Sequence, residues 1–337
     1  MPHPLDLIVA YAATPDPACQ ASLQGLRLPH LQRLLARLSP AAQALAEPDP
    51  AQIPLSLPHE RAWAQAWGLP DCNGHIPWGA WHAQQQGLLN TPNSGSGSAW
   101  ALLVPCYWQV GTDHITVHDP AQLQLTQQDA QTLLEIVGPW LAEEGLQVQA
   151  DTPTRWLMQG PLLADLPMPS LERVQGQDVR QWMQHQAQNP HISASQRRAM
   201  QVWQRLHSEL QMLLYTHPFN DARQAQGLAP VNAFWLHGAG CLPQAAPVDA
   251  ASVQCIQTLQ TPAQNGDWQT WAKAWQALDA GPLAQWLDHI QTGGAARLTL
   301  CGPHTALTWH TAAPRSLSQR LSRLLRPVSF LEVAKKL

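Results

Sequence analysis

Charge is what this chain has least of. Asp, Glu, Lys and Arg make up 12% of its 337 residues, about half the usual share, which excludes a disordered or polyelectrolyte chain. The formal net charge is −4, so there is no basic excess of the kind nucleic acid requires, and no nucleic-acid partner is expected. No stretch approaches 18 apolar residues in a row, so no membrane span is expected. The cysteines (Cys19, Cys72, Cys106, Cys241, Cys255 and Cys301) form no Cys-x-x-Cys pair. The opening MPHPLDLIVAYAA carries no basic segment ahead of its brief apolar run. These features predict a cytoplasmic protein with reduced thiols and no signal peptide. Phe and Tyr are scarce at 3 each, yet there are 16 Trp. Trp brings a large apolar surface and one N–H that needs a partner, so most of the 16 are expected in cores or domain interfaces, and the count alone does not assign any to a ligand cleft.

What is present reads as alternating strands and helices. Leu5 to Ala13 is short and apolar, a buried strand, and LPHLQRLLARL after it is an amphipathic helix that stops at Ser39-Pro40. Pro40 to Pro58 reads as a linker, HERAWAQAWG as a short helix, and residues 71–98 as loop, ending in the flexible NTPNSGSGSA. AWALLVPCYWQV and HITVHD read as strands. A long helix follows from about Thr126, with Thr126 as its N-cap and Asp129 three residues on. LQVQA and TRWLMQG form a strand pair, 178–215 is helix-rich, VNAFWLHG is a strand, 267–291 is helical, and ARLTLCG and ALTWH are late strands. This order predicts an α/β architecture. Arg315, Arg320, Arg323 and Arg326 recur at helical spacing between leucines and read as a solvated helix face.

Three clusters invite a chemical reading. On a strand, His114 and His118 of DHITVHD lie roughly 13 Å apart, too far to share one metal ion, so a polar strand edge is expected there. His304 and His310 of CGPHTALTWH are roughly 20 Å apart if extended, although His304 follows a strand at the end where α/β folds place ligand loops. The third is THPFNDARQAQGLAPVNAFWLHGAG, Thr216 to Gly240. His217, Asn220 and Arg223 flank a strand that carries Asn232 and ends on His237 and Gly238. Arg and Asn there can bind an anion. Equally, Pro218, Gly227 and Pro230 can shape a turn whose backbone Asn and Arg tie down.

From about Pro58 to Gly240 the pattern resembles the archaeal-type cofactor-independent phosphoglycerate mutases of the alkaline phosphatase superfamily. The family's His-Pro-x-Asn-x-x-Arg, Gly, Ala-Asn and Gly-x-Gly places are held by His217, Pro218, Asn220, Arg223, Gly227, Asn232, Gly238 and Gly240. Arg155 stands on its Tyr-Arg strand and Gly176 in its Gly-Lys segment, with Gln177 for the Lys, while the usual Arg-x-Asn is missing. The whole chain is similar to the family's degenerate bacterial relatives, the RpfE-type regulatory proteins. The resemblance implies an alkaline-phosphatase-like core from residues 1–98 and 231–337, and an inserted α/β domain over 99–230.

The departures fall on the chemistry. The family's first strand ends in Asp-Gly, whereas IVAYAAT carries no carboxylate. Registering Gly68 on the family's Leu-Gly puts His59 at the nucleophilic serine and Glu60 at the Asp beside it. CGPHT places Gly302 or Pro303 where a metal-binding Asp belongs, and Asp279 is kept without its His. Such mutases need a hydroxyl nucleophile and two divalent metals, such as Mn²⁺ or Zn²⁺. With those ligands not preserved, no metal site and no cofactor are expected. The resemblance thus implies a non-catalytic or regulatory relative that binds a phosphorylated metabolite through Arg155, His217, Asn220, Arg223, Asn232 and His237. Two alternatives stand beside it. One is an active enzyme rebuilt on His59, His304 and His310; the other is an interaction module that docks a protein partner.

Overall fold

A computed structural model of the chain describes residues 5–41, 54–90, 98–188, 192–242, 252–311 and 329–337. The Arg-bearing stretch at 315–326, most of the Pro-rich linker and most of NTPNSGSGSA lie outside the described residues. The chain divides into two compact units, Met1–Asp49 with Leu57–Gly68 and Pro247–Leu337, and Pro50–Ser56 with Leu69–Ala246.

The first unit opens with β1 (Leu5–Val9), α1 (Pro17–Gly25), α2 (Pro29–Arg37), β2 (Ser39–Pro40) and α3 (Pro58–Ala66). Asp16 starts α1 by accepting the Ala18 N–H at 2.7 Å, with Pro17 in the first helical position, where its missing N–H costs nothing. Leu31, Leu34, Leu35 and Leu38 recur at helical spacing and are fully buried, the apolar stripe that holds α2 on the core.

The second unit contributes α4 (Trp78–Gln85), β3 (Trp100–Cys106), β4 (Trp108–Val110), β5 (Ile115–Val117), α5 (Gln127–Glu143), β6 (Gln147–Thr152) and β7 (Arg155–Gln159). It continues with α6 (Leu171–Val174), α7 (Val179–Gln188), α8 (Ala194–Tyr215), α9 (Pro218–Ala225) and β8 (Ala233–Gly240). Its sheet runs β6-β7-β3-β8 with antiparallel pairing throughout, and β4 and β5 form a separate ribbon. The first unit then resumes with β9 (Val253–Ile256), α10 (Gln260–Gln264), α11 (Trp268–Leu278), a π-helical turn at Asp279–Leu283, α12 (Ala284–Gln291), β10 (Ala296–Cys301), β11 (Ala306–His310) and α13 (Phe330–Ala334).

The first unit's sheet has the order β2-β11-β10-β1-β9. β1 lies between two parallel partners, β10 and β9, which is why its sequence is an apolar run and not an alternation. Helices and both kinds of strand pairing make this a mixed α/β protein, as expected. β8 pairs with β3 from Ala233 to Gly240, so the second unit extends to Ala246, and it also takes in residues 69–98 with α4. Among the described residues no helix is long and apolar enough to cross a membrane.

Candidate functional site

The stretch from Thr216 to Gly240 directs most of its polar groups to backbone, its own and that of Trp108 and Leu123. His217 caps α9, its Nδ1 accepting the Phe219 N–H at 3.1 Å. Asn220 is 4% exposed. Its amide donates to the Leu214 and Val231 carbonyls at 2.9 and 2.8 Å, and its Oδ1 accepts the Val231 N–H at 2.9 Å. Arg223, equally buried, donates Nε–H to Ala229 O at 2.9 Å and an Nη2–H to Leu123 O. Gly227, at φ +74°, ends α9. The Leu228 N–H reaches Arg223 O and the Gly227 N–H reaches Gln224 O, the paired bonds of a Schellman stop that favours glycine. Asn232 then acts as a strand residue made from a side chain. Its Oδ1 accepts the Trp108 N–H at 2.7 Å, and its Nδ2 donates to Trp108 O at 2.9 Å. These bonds are the ones that the turn-binding reading expects, while Arg223 Nη1 stays without a hydrogen-bond partner among the described residues, 3.9 Å from Asp129 Oδ2.

The glycines that end the motif serve a helix. A Cβ on Gly238 would lie 2.9 Å from Trp78 Cβ, and one on Gly240 would lie 3.2 Å from Pro77 Cβ. On the helix side, a Cβ on Gly79 would lie 2.4 to 2.5 Å from three backbone atoms of Ala101. These contacts let α4 lie directly on β3 and β8, and the space beside Gly238 and Gly240 is filled by the chain itself.

Arg155 and His237 keep polar atoms free of backbone duty, as does Arg223, whose Nη1 has no hydrogen-bond partner among the described residues. Arg155 begins β7 and is held by Asp151, Nε to Oδ2 at 2.7 Å, with its side chain 40% exposed. His237 lies on β8 opposite Leu102. Its buried Nδ1 has no hydrogen-bond partner among the described residues. Burial pushes the His237 pKa down to about 4, with Glu172 pulling upward and His82 adding to the depression. His82, on α4, is also held at about 4, first by burial and then by Arg155, against Asp151. Both imidazoles are therefore neutral at pH 7, which removes them as cationic partners for an anion.

In the first unit, His59 is fully buried on α3, its ring 6.2 Å from that of Tyr11. His304 is exposed in the turn between β10 and β11, and His310 is exposed at the far end of β11, opposite Arg297. His304 and His310 thus mark opposite ends of one strand. His114 and His118 are surface residues, as the strand-edge reading expects. His114 bonds Asp113 at 2.8 Å, and His118 bonds Gln109 and Gln122.

The residues at the end of β1 do not fit the metal pair that the resemblance implies. Ala10, Tyr11, Ala12 and Ala13 are buried, and Tyr11 carries the turn at φ +52°. The Trp271 and Trp275 indoles donate to the Tyr11 and Ala12 carbonyls at 3.0 and 3.1 Å. The retained carboxylate, Asp279, is 3% exposed. Its oxygens accept the backbone N–H groups of His30 and Leu31 at 3.2 and 2.8 Å, and one sits 2.9 Å from His30 Nδ1. It is the cap of α2. Among the described residues, no three His, Cys, Asp or Glu side chains gather closely enough to hold a metal ion.

That role for Asp279 makes a prediction. Asp279→Ala orphans the N–H groups at the start of α2, at a cost of about 2 kcal/mol. Urea unfolding should show this loss equally with and without EDTA. A carboxylate kept for metal binding would instead matter only when metal is present.

No family model matches the chain, and no curated protein matches it. Two solved structures are similar in overall course. One is the cofactor-independent phosphoglycerate mutase from Thermoplasma acidophilum DSM 1728, at 12% identity and a TM-score of 0.38, with 93% of this chain and 91% of that one covered. The other is the PH0037 protein from Pyrococcus horikoshii, at 9% identity and a TM-score of 0.45, with 92% and 88% covered.

Proposed function

We propose that this chain is a non-catalytic protein, acting by binding or regulation on a scaffold of the cofactor-independent phosphoglycerate mutase kind. The observation that carries the reading is the use made of Asp279. The carboxylate that the sequence pattern retains is fully engaged in capping α2, while indoles occupy the carbonyls beyond β1. Phosphomutase chemistry of the metal-dependent kind needs an activated hydroxyl and a site for two cations. A site rebuilt on histidine receives no support from His304 and His310, which stand at opposite ends of β11.

Incubation of the full-length protein with Mn²⁺ or Zn²⁺ and 3-phosphoglycerate tests the reading. The expected result is no isomerisation and no phosphate release, and no stoichiometric heat of metal binding in calorimetry. Metal-dependent turnover of 3-phosphoglycerate would overturn it.

A further inference from the structure

The second unit contains a cavity that the mutase resemblance does not account for. It is formed by α7, α8, β4 and β8 together with Met168, and offers about 460 Å³ of space, counting its open mouth. Four Trp, three Met and one Phe line it, with Gln204 and His207 as the polar members. No lining residue carries a permanent charge.

Two buried polar atoms at this cavity have no partner. His207 is 5% exposed and Trp108 is 6% exposed. The His207 imidazole bonds the Phe234 backbone, and its Nε2 is left without a hydrogen bond, as is the indole N–H of Trp108. Orphaned buried polar groups are rare and costly, so each calls for a reason. The nearby Trp235 shows the ordinary arrangement, its indole donating to Pro169 O at 3.0 Å. The two rings stand 4.9 Å apart, centroid to centroid, at 43°, and Trp203 lies 5.9 Å from the imidazole. A neutral imidazole carries one N–H and one lone pair, so Nε2 can act as an acceptor. The two atoms, one a donor and one able to accept, are buried just behind the aromatic lining of the cavity.

We infer that this cavity binds an uncharged, planar aromatic or heteroaromatic small molecule, whose polar edge donates to His207 Nε2 and accepts from Trp108 Nε1. Flat rings match indole faces and edges. Methionine side chains adapt to the shape of a guest, and their movement uncovers the two polar atoms. A phosphorylated or carboxylated ligand is excluded by chemistry, because an anion placed here would lose its hydration without gaining a cation.

The test uses three bicyclic probes on the full-length protein, followed by ligand-observed NMR titration. 2-Quinolone carries an N–H beside a C=O, naphthalene has no polar edge, and 2-naphthoate is anionic. Saturable binding is expected for 2-quinolone, about tenfold tighter than naphthalene, as one to two buried hydrogen bonds provide, with 2-naphthoate weakest. His207→Phe and Trp108→Phe should each lower the 2-quinolone affinity several-fold and leave naphthalene unchanged. Met200→Trp fills the cavity and should abolish both while the protein's thermal transition persists. Absence of saturable binding by either neutral probe would overturn the inference, leaving water as the occupant. So would tightest binding of the anion, or binding undiminished in Met200→Trp.

Discussion

Acidification from pH 7 to pH 5 should remove at least on the order of 3 kcal/mol of stability, because several imidazoles, His207 and His237 foremost, are held in the neutral form by burial. His207 and His237 each have a pKa lowered from the ordinary 6.5 to about 4, in both cases chiefly by burial. The groups acting on them are the Phe234 backbone for His207, and Glu172 on α6 and His82 on α4 for His237. A histidine whose pKa is depressed on folding is protonated first in the unfolded chain. Its contribution is complete above pH 6.5 and falls away as the pH drops toward 4. One pKa unit corresponds to about 1.4 kcal/mol, and linkage gives a loss of roughly 2 kcal/mol per imidazole by pH 5. The sum is reduced somewhat because His237 keeps partial exposure. Carboxylates with lowered pKa values, such as Asp178 beside Arg180, act at lower pH, whereas His82 and His75, also lowered chiefly by burial, add to the loss in this window. Urea unfolding at half-unit steps from pH 7.5 to 5 checks the prediction, and His207→Phe should remove roughly 2 kcal/mol of the loss. A flat profile would show that these imidazoles are not neutral and buried.

Most elements that local pattern controls were readable in advance. Thr126 was expected to cap a long helix with Asp129, and the two exchange bonds at 2.8 and 3.1 Å at the start of α5. The paired strands at 147–152 and 155–159, and β10 and β11, stand where their apolar runs lie. What local pattern could not show was set by partners distant in sequence. AWALLVPCYWQV reads as one strand but breaks after Cys106, because the Asn232 side chain takes both backbone groups of Trp108 and β4 turns away to pair with β5. WGAWHAQQ, with a glycine inside and no clear stripe, reads as loop, yet it forms α4. Its Gly79 is required by the Ala101 backbone it touches, a tertiary demand that overrides helix propensity.

The same limit applied to the candidate sites. Asp279 was legible as a retained acid, but its partners, His30 and Leu31, lie some 250 positions earlier in the chain. The cavity residues Met200, Trp203 and His207 have ordinary helical core spacing, and nothing in that spacing distinguishes an orphaned Nε2 from a satisfied one. Arg and Asn in a turn are ambiguous for a physical reason. The donors that bind an anion are also those that bind carbonyls, and the choice depends on which oxygen folding brings near.

Replacing Asn220 decides that choice in solution. Asn220→Leu keeps the volume and removes the amide, so Val231 loses the partners of both its N–H and its C=O in a fully buried position. The Leu214 carbonyl fares better, since the N–H groups of Thr216 and His217 also reach it. Each orphaned backbone group costs about 1–3 kcal/mol, so a loss of about 4 kcal/mol is expected, comparable to a large core truncation. Asn220→Asp should recover part of this, because a carboxylate still accepts the Val231 N–H, but it sets a charge against two carbonyls. A residue kept to grip phosphate would behave in the opposite way: its leucine variant would unfold at the wild-type urea concentration, because nothing in the free protein would depend on it. The direction of the shift therefore distinguishes a scaffold from a binding site without knowledge of any ligand. Full retention of stability in Asn220→Leu would return the Thr216–Gly240 corner to the anion-binding reading.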